Sequence, residues 1–369
     1  MSWCGCETIK EPISLRAVGD QERGPRGPRE TPARTTLADV ARRAGVSIAT
    51  ASYVMNERDG VGEQTRAHVL RIAKEVGFRP NRLASGLRTG QSRVLGLVLA
   101  DITNPFYPDL AGAVIAAAAE AGYEVFLSHC GIDGSLNGDE VRALCDHQAA
   151  ALIFTSLLVT DGPLIAEVVP AGVPVVQTIR RVPGLAADFV GIDDRAGARE
   201  AAMHLVEAGH REVALLTGPR GSSASAERTQ GFLEVLIAAG LEPGPERIVE
   251  CRLTVGAGYE GAEKLLGASG QAPGAILCGN DLIALGAIDA LVDHGLAVPD
   301  DVSVVGYDDI WFASSRLVQL TTVRQSRDAI GRAAVALALD RLADGQVQPR
   351  NVILPHELVV RRTTAGVFA

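Results

Sequence analysis

The segment that follows residue 92 repeats one pattern, in which a short continuous apolar run precedes a longer stretch with helical spacing. Strands without polar alternation are typical of parallel sheets covered by helices on both faces. The runs are VLGLVLA, YEVFLSH, ALIFTS, VPVVQTI, EVALLTG, GAILCGN and VSVVGYD. These strands are too many for one small unit, so the pattern predicts an α/β core of two doubly wound parallel-sheet lobes.

Polar residues stand where several of these runs end. They are Asp101, Arg180, Asp193, Asn280 and Asp308. In doubly wound folds ligands bind beyond the carboxyl ends of the strands. We therefore expect a small-molecule site that charged and amide side chains help to form.

The earlier segment TTLADVARRAGVSIATASYVMN (35–56) has the periodicity of two short helices. Gly45 suits the end of the first helix, and Ser47 suits the N-cap of the second. The second helix carries no acidic residue, as a helix that enters the major groove of DNA requires. The pattern favours a DNA-binding helix-turn-helix, and an ordinary helical hairpin is the alternative.

Charge is unevenly distributed along the chain. The net charge is −9, yet residues 35–89 hold nine basic and five acidic side chains. A small basic module on an acidic body indicates that only this part meets an anionic partner.

The sequence lacks the motifs that several classes of protein require. The six cysteines form no CxxC pair, so neither a structural metal nor a disulfide framework is expected. The chain has no GxxxxGK[ST], no HExxH and no GxGxxG at its first strand-to-helix turn, so we expect no cofactor and no enzyme. No apolar run approaches the roughly 20 residues of a membrane span, and no signal-peptide layout begins the chain. These observations predict a cytoplasmic protein without membrane contact.

A third helical pattern follows, and from here the resemblance to a known family is clear. The chain resembles the lactose repressor/galactose repressor family of bacterial transcription regulators, and the resemblance covers nearly everything after residue 34. The motifs that carry it are Thr36-Leu37, Asp39-Val40-Ala41, Ala44-Gly45-Val46-Ser47, Thr65-Arg66, Gly77-Phe78, Pro80-Asn81, DITNPFY, ERTQGF, GNDLIALGAIDAL, LAVPDDVSVVGYDD and LTTVRQS.

The resemblance implies how the chain is divided. Residues 35–79 would form an N-terminal all-α helix-turn-helix domain, residues 80–92 a hinge helix or linker, and residues 93–369 an effector-binding and dimerisation core. The core would be periplasmic-binding-protein-like, with one lobe over 93–192 and 326–354 and the other over 193–325 and 355–369. Residues 1–34, rich in Pro, Gly and Arg, are expected to be a disordered tail.

The resemblance also implies which residues contact DNA. They lie at predicted helix starts, on the outward face of the second helix and in the hinge, and are Thr36, Ser47, Ile48, Ala49, Ser52, Tyr53, Thr65, Arg66, Asn81, Arg82, Ala84 and Leu87. Leu87 matches a leucine that the family wedges into the minor groove. Family members usually have arginine where Tyr53 stands, so we expect an unusual operator half-site, with a phosphate contact by Tyr53 as the alternative.

By the same resemblance, a small effector binds between the lobes. The expected effector-binding residues are Asp101, Phe106, Tyr107, Arg180, Arg228, Asn280 and Asp308. Ile179 stands where many relatives have an aspartate, and Leu253 where an aromatic ring often stacks on the ligand. A sugar or sugar derivative is expected, and a purine-like or other small metabolite is the alternative. For Asn280 and Asp308, capping or turning the chain after a strand is the alternative role.

The sequence therefore predicts a DNA-binding repressor that binds a palindromic operator as a homodimer and is switched allosterically by a small-molecule effector. A solute-binding protein with the same core is the alternative class. Such a protein would need a signal peptide and no helix-turn-helix, which is the reverse of what this chain has.

Overall fold

The computed structural model describes residues 35–56, 58–78, 92–130, 136–155, 157–269, 271–345 and 348–366. The chain divides into two compact units, Met1–Ser85 and Gly86–Ala369. The predicted tail, and all of the predicted hinge except residue 92, lie outside the described residues. The domain bounds proposed from the sequence therefore stay predictions.

Three helices are described in the N-terminal unit, α1 (Leu37–Ala44), α2 (Ile48–Met55) and α3 (Glu63–Glu75). The chain turns between α1 and α2 at Gly45, whose φ of 66° is left-handed, a conformation that glycine adopts without a Cβ clash. The helices pack through mostly small side chains, Val40, Ala41, Ala44, Ala51, Val54, Val69 and Ala73.

The described part of the second unit contains two six-stranded sheets. Their strands are β1 (Val94–Leu99), β2 (Glu124–His129), β3 (Ala151–Phe154), β4 (Val175–Thr178), β5 (Asp188–Ile192), β6 (Val213–Thr217), β7 (Ile248–Glu250), β8 (Ala275–Cys278), β9 (Ser303–Asp308), β10 (Thr321–Gln325), β11 (Asn351–Leu354) and β12 (His356–Val359). Lobe 1 contains the sheet β11-β5-β4-β3-β1-β2, and lobe 2 contains the sheet β12-β10-β9-β8-β6-β7. Neighbouring strands are parallel except β10 and β12.

Helices cover both sheets, as the continuous apolar strands require. They are α4 (Phe106–Glu120), α5 (Gly138–Asp146), α6 (Gly162–Val168), α7 (Asp194–Glu207), α8 (Ser223–Ala238), α9 (Val255–Ser269), α10 (Asp281–Asp293) and α11 (Arg327–Ala343). The chain passes between the sheets after Ile192, after Gln325 and after Leu354. The predicted core of two α/β lobes is confirmed. Of the helices described, none has the length and apolar character to cross a membrane.

Strands without a continuous apolar run escaped the sequence pattern. β10 lies between two other strands but buries Thr321, Thr322 and Gln325. β11 and β12 stand at sheet edges, where exposed and half-buried residues mix. The seven predicted runs correspond to β1, β2, β3, β4, β6, β8 and β9, so hydrophobic patterning finds most strands of each sheet and underestimates its width.

Glycines allow α9 and α10 to approach closely. A Cβ atom at Gly286 would collide with the carbonyl oxygen of Val255, and one at Gly258 would collide with that of Ile283. This contact sets the position of α10, which begins just beyond the carboxyl end of β8.

We expect Gly286→Ala to lower the free energy of unfolding by about 1–3 kcal/mol, because the added methyl group overpacks a tight helix contact. Urea titration of the full chain measures this. Gly267→Ala is the matched control, since it lies in α9 with open space around it and Ala favours a helix by up to about 1 kcal/mol. An unchanged midpoint for Gly286→Ala would contradict the close approach.

Candidate functional site

The outward face of α2 is the candidate DNA-reading surface. Ala51 and Val54 are buried against the other two helices, whereas Ile48 is 56% exposed and Tyr53 is 44% exposed. Ala49 is exposed and Ser52 half-buried on the same helix. The helix has no acidic residue in its first turn and no charged residue anywhere in IATASYVM.

Side-chain caps fix the starts of the first two helices, as the sequence predicted for Ser47. The Ser47 hydroxyl oxygen accepts the backbone N–H of Thr50 at 3.0 Å. Thr36 forms a capping box with Asp39, whose carboxylate accepts both the Thr36 hydroxyl and the Thr36 backbone N–H. The Thr36 hydroxyl would therefore have to leave Asp39 before it could donate to a phosphate.

The start of α3 differs from the start of α2. Its N-cap, Gly62, makes no side-chain capping bond, which leaves the first N–H groups of α3 without that partner. Thr65 and Arg66 are half-buried on the following turn, and Arg66 donates to the carbonyl oxygen of Arg58. The predicted hinge contacts, Asn81, Arg82, Ala84 and Leu87, lie outside the described residues.

A narrow cleft between the lobes is the candidate effector site. It lies at the carboxyl ends of the strands, where α4, α8 and α10 begin, and about 10 Å³ of it is open. That is room for about one water molecule, so a larger ligand needs the lobes or side chains to move. The lining residues are Asn104, Phe106, Tyr107, Ile179, Arg180, Ser222, Ala224, Ser225, Arg228, Leu253, Asn280 and Asp308.

The cleft contains six of the seven residues expected from the sequence, Phe106, Tyr107, Arg180, Arg228, Asn280 and Asp308. Asp101 is the seventh, and its expected contact with an effector stays a prediction. Its carboxylate does not line the cleft, and it accepts the backbone N–H and the hydroxyl of Thr103, both at 2.7 Å. Asp101 thus stabilises the turn that follows β1, because an Asp side chain readily accepts from the backbone two residues later.

Arg228 is the centre of a buried ion-pair network. Its Nε atom donates to Asp194 Oδ1 at 2.7 Å, and its Nη1 atom donates to Asp308 Oδ1 at 3.3 Å and to the Gly279 carbonyl at 2.9 Å. The guanidinium carbon lies 3.7 Å from the centre of the Tyr307 ring. Arg228 is therefore held on several sides before any ligand binds.

Protonation in this network follows from burial and pairing. Burial raises the pKa of Asp194 and of Asp308, and the guanidinium of Arg228 opposes both shifts. Burial alone would lower the pKa of Arg228, but the two carboxylates raise it above its ordinary value. Arg228 therefore stays charged, and both carboxylates depend on it for their ionised form.

Asn280 does two things at once. Its Oδ1 atom accepts the Ile283 N–H at 2.9 Å and caps α10, which confirms the capping alternative. Its Nδ2 atom is buried without a hydrogen-bond partner among the described residues. Because a buried donor without a partner is costly, this N–H₂ group is suited to donate to a ligand in the cleft.

The sequence missed several lining residues and one supporting residue. Ser222, Ala224 and Ser225 form the start of α8, and the run EVALLTG followed by a helical pattern could have indicated them. The sequence pattern indicates Asp193 at the end of β5, and this residue caps α7 by accepting the Ala196 N–H; nothing local distinguishes the next residue, Asp194, as a partner of Arg228. Across the described ranges, no group of three or more His, Cys, Asp or Glu side chains could hold a metal ion.

We expect Arg228→Met to lower the free energy of unfolding by about 3–5 kcal/mol at pH 7, because two buried carboxylates lose their cation. Without Arg228 their folded-state pKa values rise further above the unfolded value of about 3.9. Folding then takes up protons, so the loss is small in acid and grows as pH rises through the folded pKa values. Chemical denaturation between acid and neutral pH tests this.

The control for this experiment is Arg220→Met, because Arg220 forms an exposed pair with Glu250. Exposed pairs are worth about 1 kcal/mol or less. A loss that is the same at all pH values would contradict the role of Arg228 in keeping Asp194 and Asp308 ionised.

Two family models match the chain. Residues 36–81 match the model of bacterial regulatory proteins of the lacI family, and residues 202–364 match that of the periplasmic binding protein-like domain. The chain is 32% identical over 334 residues to the HTH-type transcriptional regulator DegA of Bacillus subtilis, covering 90% of this chain and 98% of DegA.

Solved structures agree with this match. The lac repressor dimer bound to operator and the anti-inducer ONPF has a TM-score of 0.80 at 29% identity, over 90% of this chain and 99% of that one. The CelR–cellobiose complex has a TM-score of 0.67 at 32% identity, over 89% of this chain and all of that one, 100%. The chain therefore belongs to the LacI family of bacterial transcription regulators.

Proposed function

We propose that the protein is a transcriptional repressor that binds a palindromic operator as a homodimer and is switched by a small-molecule effector. The observation that carries the proposal is the exposed, uncharged face of α2 behind the Ser47 cap. A helix with this face fits the major groove, where apolar and hydroxyl groups meet base edges. Its N–H groups at the start attract phosphate.

The proposed DNA contacts fall into two groups. Ile48, Ala49, Ser52 and Tyr53 face base edges, while phosphates are met at the helix starts by Thr36, Ser47, Thr65 and Arg66. The hinge residues Asn81, Arg82, Ala84 and Leu87 are assigned to the minor groove by the family resemblance alone. The lac repressor dimer, which was solved bound to its operator, supports operator binding as such.

The proposed effector site is the cleft between the lobes. Phe106, Tyr107 and Arg180 belong to lobe 1, whereas Arg228, Asn280 and Asp308 belong to lobe 2. A ligand held by both groups favours one relative orientation of the lobes. It shifts the equilibrium between DNA-binding states by its difference in affinity for them.

A sugar or sugar derivative is the proposed effector class. Arg180, the free amide of Asn280 and the serines at the start of α8 supply hydrogen bonds, and Phe106 supplies an apolar surface. Similar solved structures bind cellobiose and ONPF. The apolar lining residues Ile179 and Leu253 make the site less polar, and a purine-like or other small metabolite is the second candidate.

The proposed function needs no catalysis. Arg228, the central cation of the cleft, is held by Asp194 and Asp308. A repressor acts where the chromosome is, so we place the protein in the cytoplasm. A solute-binding protein with this core would have no use for α2.

A second copy of the chain is the proposed protein partner. Trp311 and Phe312 stack at 3.5 Å between ring centres, and Trp311 is 56% exposed. Leu317, on the same loop of lobe 2, is 97% exposed. Clustered exposed apolar side chains mark interaction surfaces, and the related lac repressor is a dimer.

Selection from a random DNA pool at a stated salt concentration should recover an inverted repeat, because a dimer presents two copies of α2. Tyr53→Ala should then weaken binding to that repeat by roughly 30-fold to 10⁴-fold, because each of the two copies of α2 loses a base contact worth about 1–3 kcal/mol, and it should weaken non-specific binding less. Fluorescence anisotropy measures both affinities.

Leu70→Ala is the matched control for Tyr53→Ala, since it also removes an exposed large side chain, from α3. It should bind like the wild type. Equal binding of Tyr53→Ala and wild type would remove α2 as the reading element, and failure to enrich any repeat would contradict an operator-binding dimer.

Trp311→Glu should convert the dimer into a monomer, because a charge would be buried without a partner at the interface. Light scattering at micromolar concentration should give half the wild-type mass. Ile237→Glu, a change at another exposed apolar residue of lobe 2, should leave the dimer intact. A dimeric Trp311→Glu variant would show that another surface joins the two copies.

A further inference from the structure

We propose that the effector carries a compact oxyanion, a carboxylate or a phosphate, and that Arg180 binds it. This inference rests on the proposed role of the cleft as the effector site. It names the chemistry of the ligand group that enters between Arg180 and the start of α8.

Arg180 is a buried cation that forms no ion pair among the described residues. It is 6% exposed and lines the cleft, and within the described part of the chain its side chain donates one hydrogen bond, from Nη2 to the Tyr107 hydroxyl at 3.1 Å. The buried Asp161 is near enough for the charge of Arg180 to oppose the rise that burial causes in its pKa. The carboxylate of Asp161 accepts the Leu158 N–H at 2.7 Å and makes no ion pair with Arg180.

Arg228 provides the contrast inside the same cleft. Arg228 has two carboxylates, Asp194 and Asp308, and Asp308 Oδ1 also accepts the side-chain amide of Gln325 at 2.7 Å. The Oδ1 atom of Asp308 thus already accepts hydrogen bonds from Arg228 and Gln325, and Asp308 belongs to the Arg228 network. Buried charges are normally paired, so the unpaired position of Arg180 indicates that a ligand supplies its anion.

The start of α8 adds a second electropositive feature beside Arg180. Ser222, Ala224 and Ser225, from the N-cap and first turn of this 16-residue helix, line the cleft. The backbone N–H of Arg181 donates to the Ser223 hydroxyl at 2.9 Å, which joins the Arg180 loop to this helix start. Helix starts favour anions through their free N–H groups and dipole.

An independent observation at the cleft also requires an acceptor on the ligand. Asn280 is 1% exposed, and its Nδ2 atom has no hydrogen-bond partner among the described residues. Arg180 and Asn280 thus both offer donors to the cleft. A neutral polyol could accept from Asn280, but it would leave the charge of Arg180 uncompensated when the lobes enclose it.

Apolar groups occupy the remainder of the lining. Ile179 stands immediately before Arg180, with a left-handed φ of 64°, and contributes an apolar side chain to the lining. Leu253 and Phe106 add further apolar surface. The lining therefore combines one cationic position with an apolar wall, as a ligand with an anionic group on a carbon skeleton requires.

The test uses the full chain, its selected operator and the small-molecule extract of the cells that make the protein. Anion exchange at pH 7 divides the extract into a retained anionic fraction and an unretained neutral fraction. We expect only the retained fraction to change operator affinity, by about 5–150-fold, the usual range of allosteric coupling. Phosphatase treatment should abolish the effect of a phosphate ester and leave that of a carboxylate.

Variants connect this effect to Arg180. Arg180→Gln should lose the response to the retained fraction, measured as the ratio of its own operator affinities with and without that fraction, and Arg180→Lys should keep a weakened response because it keeps the charge. Arg181→Gln is the neighbouring control, since Arg181 is exposed and stacks over Phe189. It should respond like the wild type.

The outcomes separate this inference from the proposed function. Activity confined to the neutral fraction would overturn the oxyanion and keep the effector-controlled repressor. Activity in neither fraction would overturn both. A retained fraction that acts equally on wild type and Arg180→Gln would overturn the assignment to Arg180.

Discussion

The pairing of Arg228 with two buried carboxylates is the interaction around which lobe 2 is arranged at the cleft. One guanidinium joins the start of α7 through Asp194, the end of β8 through the Gly279 carbonyl and the end of β9 through Asp308. Asp194 follows one crossover between the lobes, and Gln325, which donates to Asp308, precedes another. Movement of the lobes at these crossovers is therefore coupled to the geometry of a charge network that tolerates little change.

Hydrophobic pattern and turn chemistry predicted most of the architecture. Gly45 and Ser47 end and begin the helices as expected, because a left-handed glycine and a serine cap act locally. The continuous apolar runs located the central strands because those strands are buried on both faces. β10 escaped because its buried positions are filled by Thr321, Thr322 and Gln325, whose polar groups are satisfied only through distant partners.

The sequence predicts most of the residues that line the cleft, but it does not predict which of them form ion pairs with each other. Residues at strand ends, such as Asn280 and Asp308, are placed at the site by topology alone. Asp101 also follows a strand, but its carboxylate accepts a hydrogen bond from Thr103. The sequence does not show whether such a side chain binds a local partner or a distant one. Within the described ranges Arg228 pairs with two carboxylates and Arg180 with none, and this difference depends on side chains far apart in the chain. No periodicity in the sequence encodes that difference.

The two polar atoms of the Asn280 side chain have separate roles, one in the stability of the fold and one in the cleft. Its oxygen serves the fold by capping α10, and its nitrogen, on a residue that lines the cleft, has no hydrogen-bond partner among the described residues. Aspartate or serine at this position would also cap a helix, yet aspartate would offer an acceptor in place of the donor, and serine would reach less far. Evolution can therefore retune what the cleft accepts at this position while the stability of α10 is preserved.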